Sequence, residues 1–347
     1  MSVRSEFEWY ADWASDVSPL YERLARGAMD SPALLDMVAD TPAGQPAPNL
    51  LLGAVHALLL DGAEHPLREY YPTCVDDPRD PDEGAPVEQF ESFCLAHEGT
   101  IPDIASTRRV QTNEVGRAAV LLPAFASVAR RVDEPLALVE VGASAGLNLL
   151  WDRYRYEYAT DAGPLVRGDP DSPVEIRSEL RGERRPPLPG SSPDVAERVG
   201  IDLNPLSVTD EADASWLRAL VIPDQLRRHE RLAAAIDLAR EDPPALVAGD
   251  ALDVLPDVLA DLPDEATPCV FSTLTLYQFE DDEVASLRAT LRDASRERPV
   301  HWLSGDPDSP TGTPTYRHVA FEDGDPLERE LATHAAYGEW IEWLAGE

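Results

Sequence analysis

The sequence contains no lysine. All 29 basic residues are arginine, set against 65 aspartates and glutamates, for a formal net charge of −36 over 347 residues. This absence removes whole classes of chemistry. A phosphate-binding P-loop needs its Gly-Lys pair and a protein-kinase site its strand lysine. Lysine Schiff bases, including the one that anchors pyridoxal phosphate, are excluded as well. Cysteine is scarce: Cys74, Cys94 and Cys269 are widely spaced with no Cys-x-x-Cys pair, so neither a disulfide framework nor a zinc ribbon is encoded. The histidines are scattered, and His97-Glu98 lacks the second histidine of a zincin helix, so no metal site is expected. Long apolar runs are missing too. The longest, Leu50 to Leu60, is interrupted by His56 and is too short to span a bilayer; it reads as a buried helix. Residues Met1 to Glu6 turn acidic and aromatic at once, unlike a signal peptide, and a cytoplasmic location is expected.

What is present is carboxylate. Its excess, with lysine eliminated, reads as a haloarchaeal-type adaptation to a cytoplasm at molar salt, where a Debye length of roughly 3 Å mutes carboxylate repulsion. The same net charge disfavours a nucleic-acid partner, because phosphate contacts need cations and weaken with salt. A hydrophobic fraction of 43%, with seven tryptophans and ten tyrosines, supplies a real core and argues against a disordered acidic chain. The length fits one large α/β domain, or a core domain with an added region.

Residues 1–131 read as helical. Phe7, Tyr10, Ala14 and Val17 share a face, Ser31-Pro32 opens a helix, and further helices are predicted at 49–60 and 86–97. A long helix is predicted from Thr112 through Arg131, with Pro123 inside it as a kink. From residue 132 the texture changes to strand–turn–helix alternation. Strands are predicted at 136–141, 199–203, 245–250, 268–274 and 299–303, with helices at 215–240, 251–260 and 281–294 between them and a closing hairpin at 316–321 and 327–332. Alternation of this kind implies a mostly parallel sheet covered by helices on both faces. An insert at 151–195, rich in Arg, Pro and Asp, carries strand-like segments at 154–158 and 174–176. It reads as a lid or a substrate hairpin.

The most informative segment is Glu140-Val141-Gly142-Ala143-Ser144-Ala145-Gly146-Leu147-Asn148. A buried strand that ends in a small-residue turn and opens a helix lets a ligand approach backbone N–H groups closely. Asp202 ends the second main strand, Asp250-Ala251 follows the third, and Tyr277 lies just past the fourth. Singly, each carboxylate is equally well a helix cap. A tight βα turn without a ligand is the plain alternative for the glycine-rich segment. Asn113, Glu114 and Arg117 form a second cluster, either orienting a substrate beside the first strand or pairing Glu114 with Arg117 on the surface.

In this order the motifs resemble the Rossmann-like S-adenosylmethionine-dependent methyltransferases, over about residues 135–335. The resemblance implies a seven-stranded methyltransferase-type sheet preceded by a helical region. It places Gly142, Ser144 and Gly146 at the methionine end of S-adenosylmethionine, Glu140 at its ammonium, Asp202 at the ribose and Asp250 with Ala251 at the adenine. Glu114 or Tyr277 would serve as a base where one is needed, and the acceptor would be a small molecule or a protein. One departure stands out: Asp202 lies 56 positions after Gly146, against roughly 20 for a simple turn-to-acid spacing. At a finer level, Gln111 to Arg117, Val139 to Tyr156, Gly200 to Pro205 and Pro223-Asp224-Gln225 resemble an uncharacterised prokaryotic family, domain-of-unknown-function family 2332. Gly142-x-Ser144-x-Gly146 also satisfies the nucleophile elbow of α/β-hydrolases, with Ser144 attacking and one of His229, His301, His318 or His334 completing a triad. A third reading is a nucleoside-binding protein without turnover.

Overall fold

The computed structural model describes residues 2–307 and 312–346. Their contacts group into two compact units, one running up to Thr112 together with Thr209–Ala233, the other comprising Asn113–Val208 and the chain from Ala234 onward.

The first unit is helical, with helices Val3–Ala14, Pro19–Met29, Pro32–Met37, Ala47–Leu60, Pro86–Ala96, Thr100–Thr107 and Glu211–Ala219, and the start of Leu226–Glu241. Proline occupies the first turn of four of the first five, where its missing N–H has no intrahelical partner to lose. Ala47–Leu60 is apolar on nearly every side and is buried throughout most of its length. His56 is tolerated there because both ring nitrogens are bonded, Nδ1 to the Ala219 carbonyl at 3.0 Å and Nε2 to Thr73 Oγ1 at 2.8 Å. Burial holds the ring neutral, its pKa pushed down to about 3. The single helix predicted at 215–240 is instead two. Pro223 biases the preceding residue away from helical backbone, and Asp224 accepts a hydrogen bond from Ser18 Oγ, at the cap of Pro19–Met29.

The second unit is built on eleven strands: β1 Leu136–Val141, β2 Arg155–Ala159, β3 Leu165–Gly168, β4 Glu175–Arg181, β5 Val195–Asp202, β6 Ala245–Ala248, β7 Thr267–Thr273, β8 Val300–Pro307, β9 Pro314–Glu322, β10 Asp325–His334 and β11 Trp340–Trp343. They form one sheet in the order β3-β2-β4-β11-β10-β9-β8-β7-β1-β5-β6. It is mostly parallel, as expected: neighbours run parallel from β6 to β8, and again at β11–β4 and β4–β2. Seven strands do not suffice, however. The 151–195 insert adds β2, β3 and β4, and β11 joins them to the closing hairpin, so the insert extends the sheet. The hairpin itself turns on Asp323 and Gly324, both at positive φ as a two-residue turn requires.

Each face of the parallel core is covered. Ala137, Val139 and Val141 of β1 pack with Leu255, Leu259, Leu287 and Leu291 from helices Ala251–Asp261 and Asp281–Ala294. On the other face Phe125 stacks on Trp151 at 4.8 Å and meets Phe271 edge-on at 5.1 Å. Phe125 belongs to helix Ala118–Ala129, which starts later than predicted, because Val115–Arg117 is a separate 3-10 turn. The helix runs through Pro123, which has no N–H to offer the Ala119 carbonyl. Tyr158 replaces it: its hydroxyl donates to that carbonyl at 2.8 Å.

Candidate functional site

The parallel core has one point where strand order reverses. β1 leads to β5 and β6 on one side, while β7 and β8 lie on the other, so the crevice beyond the carboxyl ends of β1 and β7 is the topological switch point where open α/β sheets bind ligands. Two loops border it, the glycine-rich turn after β1 and the segment after β7. Both are strained. Among the described residues only Ser144, Leu274 and Asp323 are non-glycines at positive φ, and the first two sit in these loops, at 54° and 52°.

The turn is closely packed by its own surroundings. Gly142 and Gly146 adopt φ of 77° and 72°, and an added Cβ would lie 2.3 Å from Thr275 Cγ2 at the first and 2.7 Å from Pro244 Cγ at the second. Its N–H groups are largely committed within the protein. Gly142 and Ala143 donate to the Ile201 carbonyl, Ser144 to Asp202 Oδ2 at 2.8 Å, Gly146 to the Ala143 carbonyl and Leu147 to Asn113 Oδ1 at 2.9 Å. The α-helix predicted to open at Leu147 with free N–H groups is a 3-10 segment, Leu147–Arg153. It is pinned by hydroxyls of the insert, Tyr154 on the Leu147 carbonyl and Tyr156 on the Trp151 carbonyl.

Asp202 is the hub of the rim. Its second oxygen accepts from Asn204 N–H at 2.8 Å, and its carbonyl accepts from Gly249 N–H, which ties the end of β6 to the end of β5. Asp250, exposed, caps the next helix through Leu252 N–H at 2.9 Å, and Ala251 is that helix's first, buried residue. Leu203, directly after Asp202, is 77% exposed, an uncovered apolar side chain beside the acid. Tyr277 is also exposed; its N–H donates to Asp306 Oδ1 at 3.3 Å.

The floor is polar and buried. Asn148 Nδ2 lies 3.5 Å from both Glu140 Oε1 and Thr273 Oγ1. Burial pushes the Glu140 carboxyl well above the usual range, opposed by the Asn148 hydrogen bond and by Arg117. Arg117 Nη1 donates to the Thr273 carbonyl at 3.0 Å and Nε to the Ala336 carbonyl at 3.1 Å. Glu114 Oε1 accepts from Gly116 N–H at 2.9 Å. The surface-pair alternative for Glu114 and Arg117 fails, because both side chains are buried against the sheet unit. Asn113 and Arg117 bond Leu147 and Thr273, next to the two loops of the switch point. Thr273 and Tyr316 carried no sequence signal, and His334 was singled out only as a possible triad member; strand order gathers the three. Asn148 lay inside the motif but without a role.

Among the described residues no histidine hydrogen-bonds Ser144. Its Oγ is buried without a hydrogen-bond partner. His301 Nδ1 meets His318 Nε2 at 2.8 Å, His334 Nδ1 bonds the Ala335 carbonyl, and His229 Nε2 bonds the Ile222 carbonyl.

Residues 4–343 match the model of a family described as an uncharacterized protein conserved in bacteria, domain-of-unknown-function family 2332. The chain belongs to this family. The match spans both compact units and includes every residue of the candidate site. No curated protein matches the chain. Of the segments that carry the family resemblance, those at 111–117, 139–156 and 200–205 supply the bonds just described between Asn113, Leu147, Ser144 and Asp202. The fourth, at 223–225, breaks the helix in the other unit. Among the described residues no helix is long and apolar enough to cross a membrane, and no group of three or more His, Cys, Asp or Glu could hold a metal ion.

Proposed function

We propose that this member of the family is an S-adenosylmethionine-dependent methyltransferase with a Rossmann-like sheet, acting on a small molecule or a protein. The observation that carries the reading is the succession of Asp202 and Asp250 at adjacent strand ends, next to the turn at the switch point. The residues fit the nucleoside end of the cofactor. Asp202 keeps lone pairs beyond its two backbone bonds for the ribose hydroxyls, exposed Leu203 offers an apolar surface, and Asp250 with Ala251 stands at the adenine. The turn fits less simply: because its N–H groups bond within the protein, Gly142, Ser144 and Gly146 shape the wall while side chains supply the polar contacts.

When bound, the cofactor supplies a methyl group on a positively charged sulfur. The protein's part is alignment and the exclusion of water, the main requirements of an in-line displacement. Asn113 and Arg117 hold the two loops in register, by bonds to Leu147 and Thr273. Of the base candidates, Glu114 already caps the 115–117 turn, and Tyr277 stands exposed on the rim. Calorimetry tests the reading: S-adenosylmethionine and S-adenosylhomocysteine should bind and NAD should not. Folded protein that binds neither sulfur nucleoside overturns it. Nucleoside binding with no methyl transfer to any acceptor would leave the non-catalytic reading.

The hydrolase reading is favoured by one observation, the positive φ of Ser144 at a strand-to-turn junction. A fluorophosphonate probe separates the two. The methyltransferase reading expects no labelling, and stoichiometric labelling that is lost in Ser144→Ala would replace it with the hydrolase.

A further inference from the structure

At the amino ends of β1, β7 and β8, opposite the switch point, the sheet unit holds a crevice of about 580 Å³ whose lining includes Arg131, Thr267, Pro299 and His301. His301 is only 3% exposed there, and a chain of hydrogen bonds fixes which of its nitrogens carries the proton. Arg329 Nε donates to His318 Nδ1 at 3.1 Å, and an arginine can only donate, so that nitrogen is an acceptor. His318 therefore carries its proton on Nε2 and donates it to His301 Nδ1 at 2.8 Å. His301 in turn keeps its own proton on Nε2, as a donor. Burial, and then the neighbouring charges and rings, hold both side chains neutral, with the pKa pushed down to about 4 for His301 and to about 2 for His318.

Positive charge around this crevice is left without a carboxylate. Among the described residues Arg131, Arg298 and Arg329 form no ion pair, although acidic residues outnumber arginines 65 to 29 in the chain. Arg298 gives its guanidinium to the carbonyls of Leu259, Leu262, Pro263 and Ala266, and Arg329 gives its own to His318 and Ser127. The Arg131 side chain bonds to none of the described residues and is exposed at the lip. Burial first, and then the like charge of Arg131, lowers the Arg329 pKa, so the two guanidinium groups repel each other. An anion that accepts from Arg131 and from His301 Nε2–H relieves that repulsion. Two other features narrow its chemistry. Asp133, Glu134, Asp264 and Glu322 line the crevice as exposed acids and disfavour a ligand of higher negative charge, while Pro268, Pro299 and Ala320 supply apolar wall. We infer that the crevice binds a small organic acid with one negative charge and an apolar body, its carboxylate held by Arg131 and His301 Nε2–H. The volume suits a ligand of that size. The site lies at the opposite ends of the strands from the turn after β1, so the inference does not rest on methyl transfer.

The test is ligand-observed saturation-transfer NMR on the full chain with three probes of one size, benzoate, benzyl alcohol and benzylamine, at a salt concentration where circular dichroism shows the chain folded. Benzoate should bind about tenfold more tightly than the alcohol, the effect of one charge-assisted hydrogen bond, and benzylamine should show no transfer. Arg131→Gln changes an exposed side chain, so the fold should persist while benzoate affinity falls about tenfold. Nitrogen NMR of the histidine rings tests the relay: His301 and His318 should both be Nε2–H tautomers, and benzoate should shift the His301 Nε2 resonance. Equal binding of the three probes, binding of none, an unchanged affinity in folded Arg131→Gln, or a His301 resonance that benzoate leaves in place would overturn the inference. Displacement of benzoate by an equal concentration of inorganic sulfate, a dianion without an apolar body, would overturn it as well.

Discussion

Asp202→Ala tests whether the rim acid is part of the fold as well as part of a site. Read from sequence, Asp202 is a ribose ligand, and its loss weakens cofactor binding alone. The structure adds a folding cost. The carboxylate takes Ser144 N–H on one oxygen and Asn204 N–H on the other, each at 2.8 Å. Ser144 is buried and Asn204 exposed, so after truncation water replaces the second bond while the first N–H is left dry. A hydrogen bond to a charged group contributes about 1.5–3 kcal/mol, and that range is the expected loss of stability. Asp202→Asn should lose less, since one amide oxygen can still accept from one of the two N–H groups while its NH2 faces the other. Equilibrium urea unfolding reads both variants, as a shift of midpoint at constant slope. S-adenosylmethionine affinity should fall in parallel, because the same bond holds the turn in place. An Asp202→Ala midpoint equal to wild type would refute the reasoning, showing that the turn is held by its glycine packing alone.

Three further outcomes are expected. Gly146→Ala puts a Cβ at φ 72° and 2.7 Å from Pro244 Cγ, and it should destabilise the protein by at least about 1–2 kcal/mol in the same unfolding assay. His334 is held neutral by burial, its pKa lowered to about 4, so wild type loses stability as pH falls from ~6.5 toward 4, by about 3 kcal/mol in total; the unfolding free energy of wild type minus that of His334→Phe should therefore fall by about that amount across the window, and parallel curves would contradict the assignment. With a net charge of −36, dilution from molar KCl to ~0.1 M lengthens the Debye length to about 10 Å and should lower the melting temperature followed by circular dichroism; an unchanged value would remove the salt-adaptation reading.

Local signals made much of the fold legible. The run Leu136 to Val141 is apolar enough to be a strand buried on both faces, and Asp323-Gly324 has the chemistry of a two-residue hairpin turn. The prolines mark helix starts because a first-turn residue needs no N–H partner. Those are properties of a few neighbouring residues, so the sequence alone determines them. Where the reading failed, the deciding partner was distant. The helix runs on through Pro123 as predicted, but nothing near that proline says that Tyr158 will satisfy the Ala119 carbonyl. The 3-10 form of Leu147–Arg153 accompanies bonds from two tyrosine hydroxyls, of Tyr154 and Tyr156, and from Asn113, which lies 34 residues before Leu147 and meets it only on folding. The insert's place in the sheet was decided by β11, at the far end of the chain, which offered β4 an edge to pair with. The candidate site divides the same way. Asp202, Asp250 and the glycine-rich turn are visible because strand ends and tight turns have local signatures, whereas Tyr316 and His334 reach Glu140's side of the sheet only because Gly305 leaves room for them, and hydrogen-bond satisfaction is a property of the assembled core rather than of any stretch of sequence.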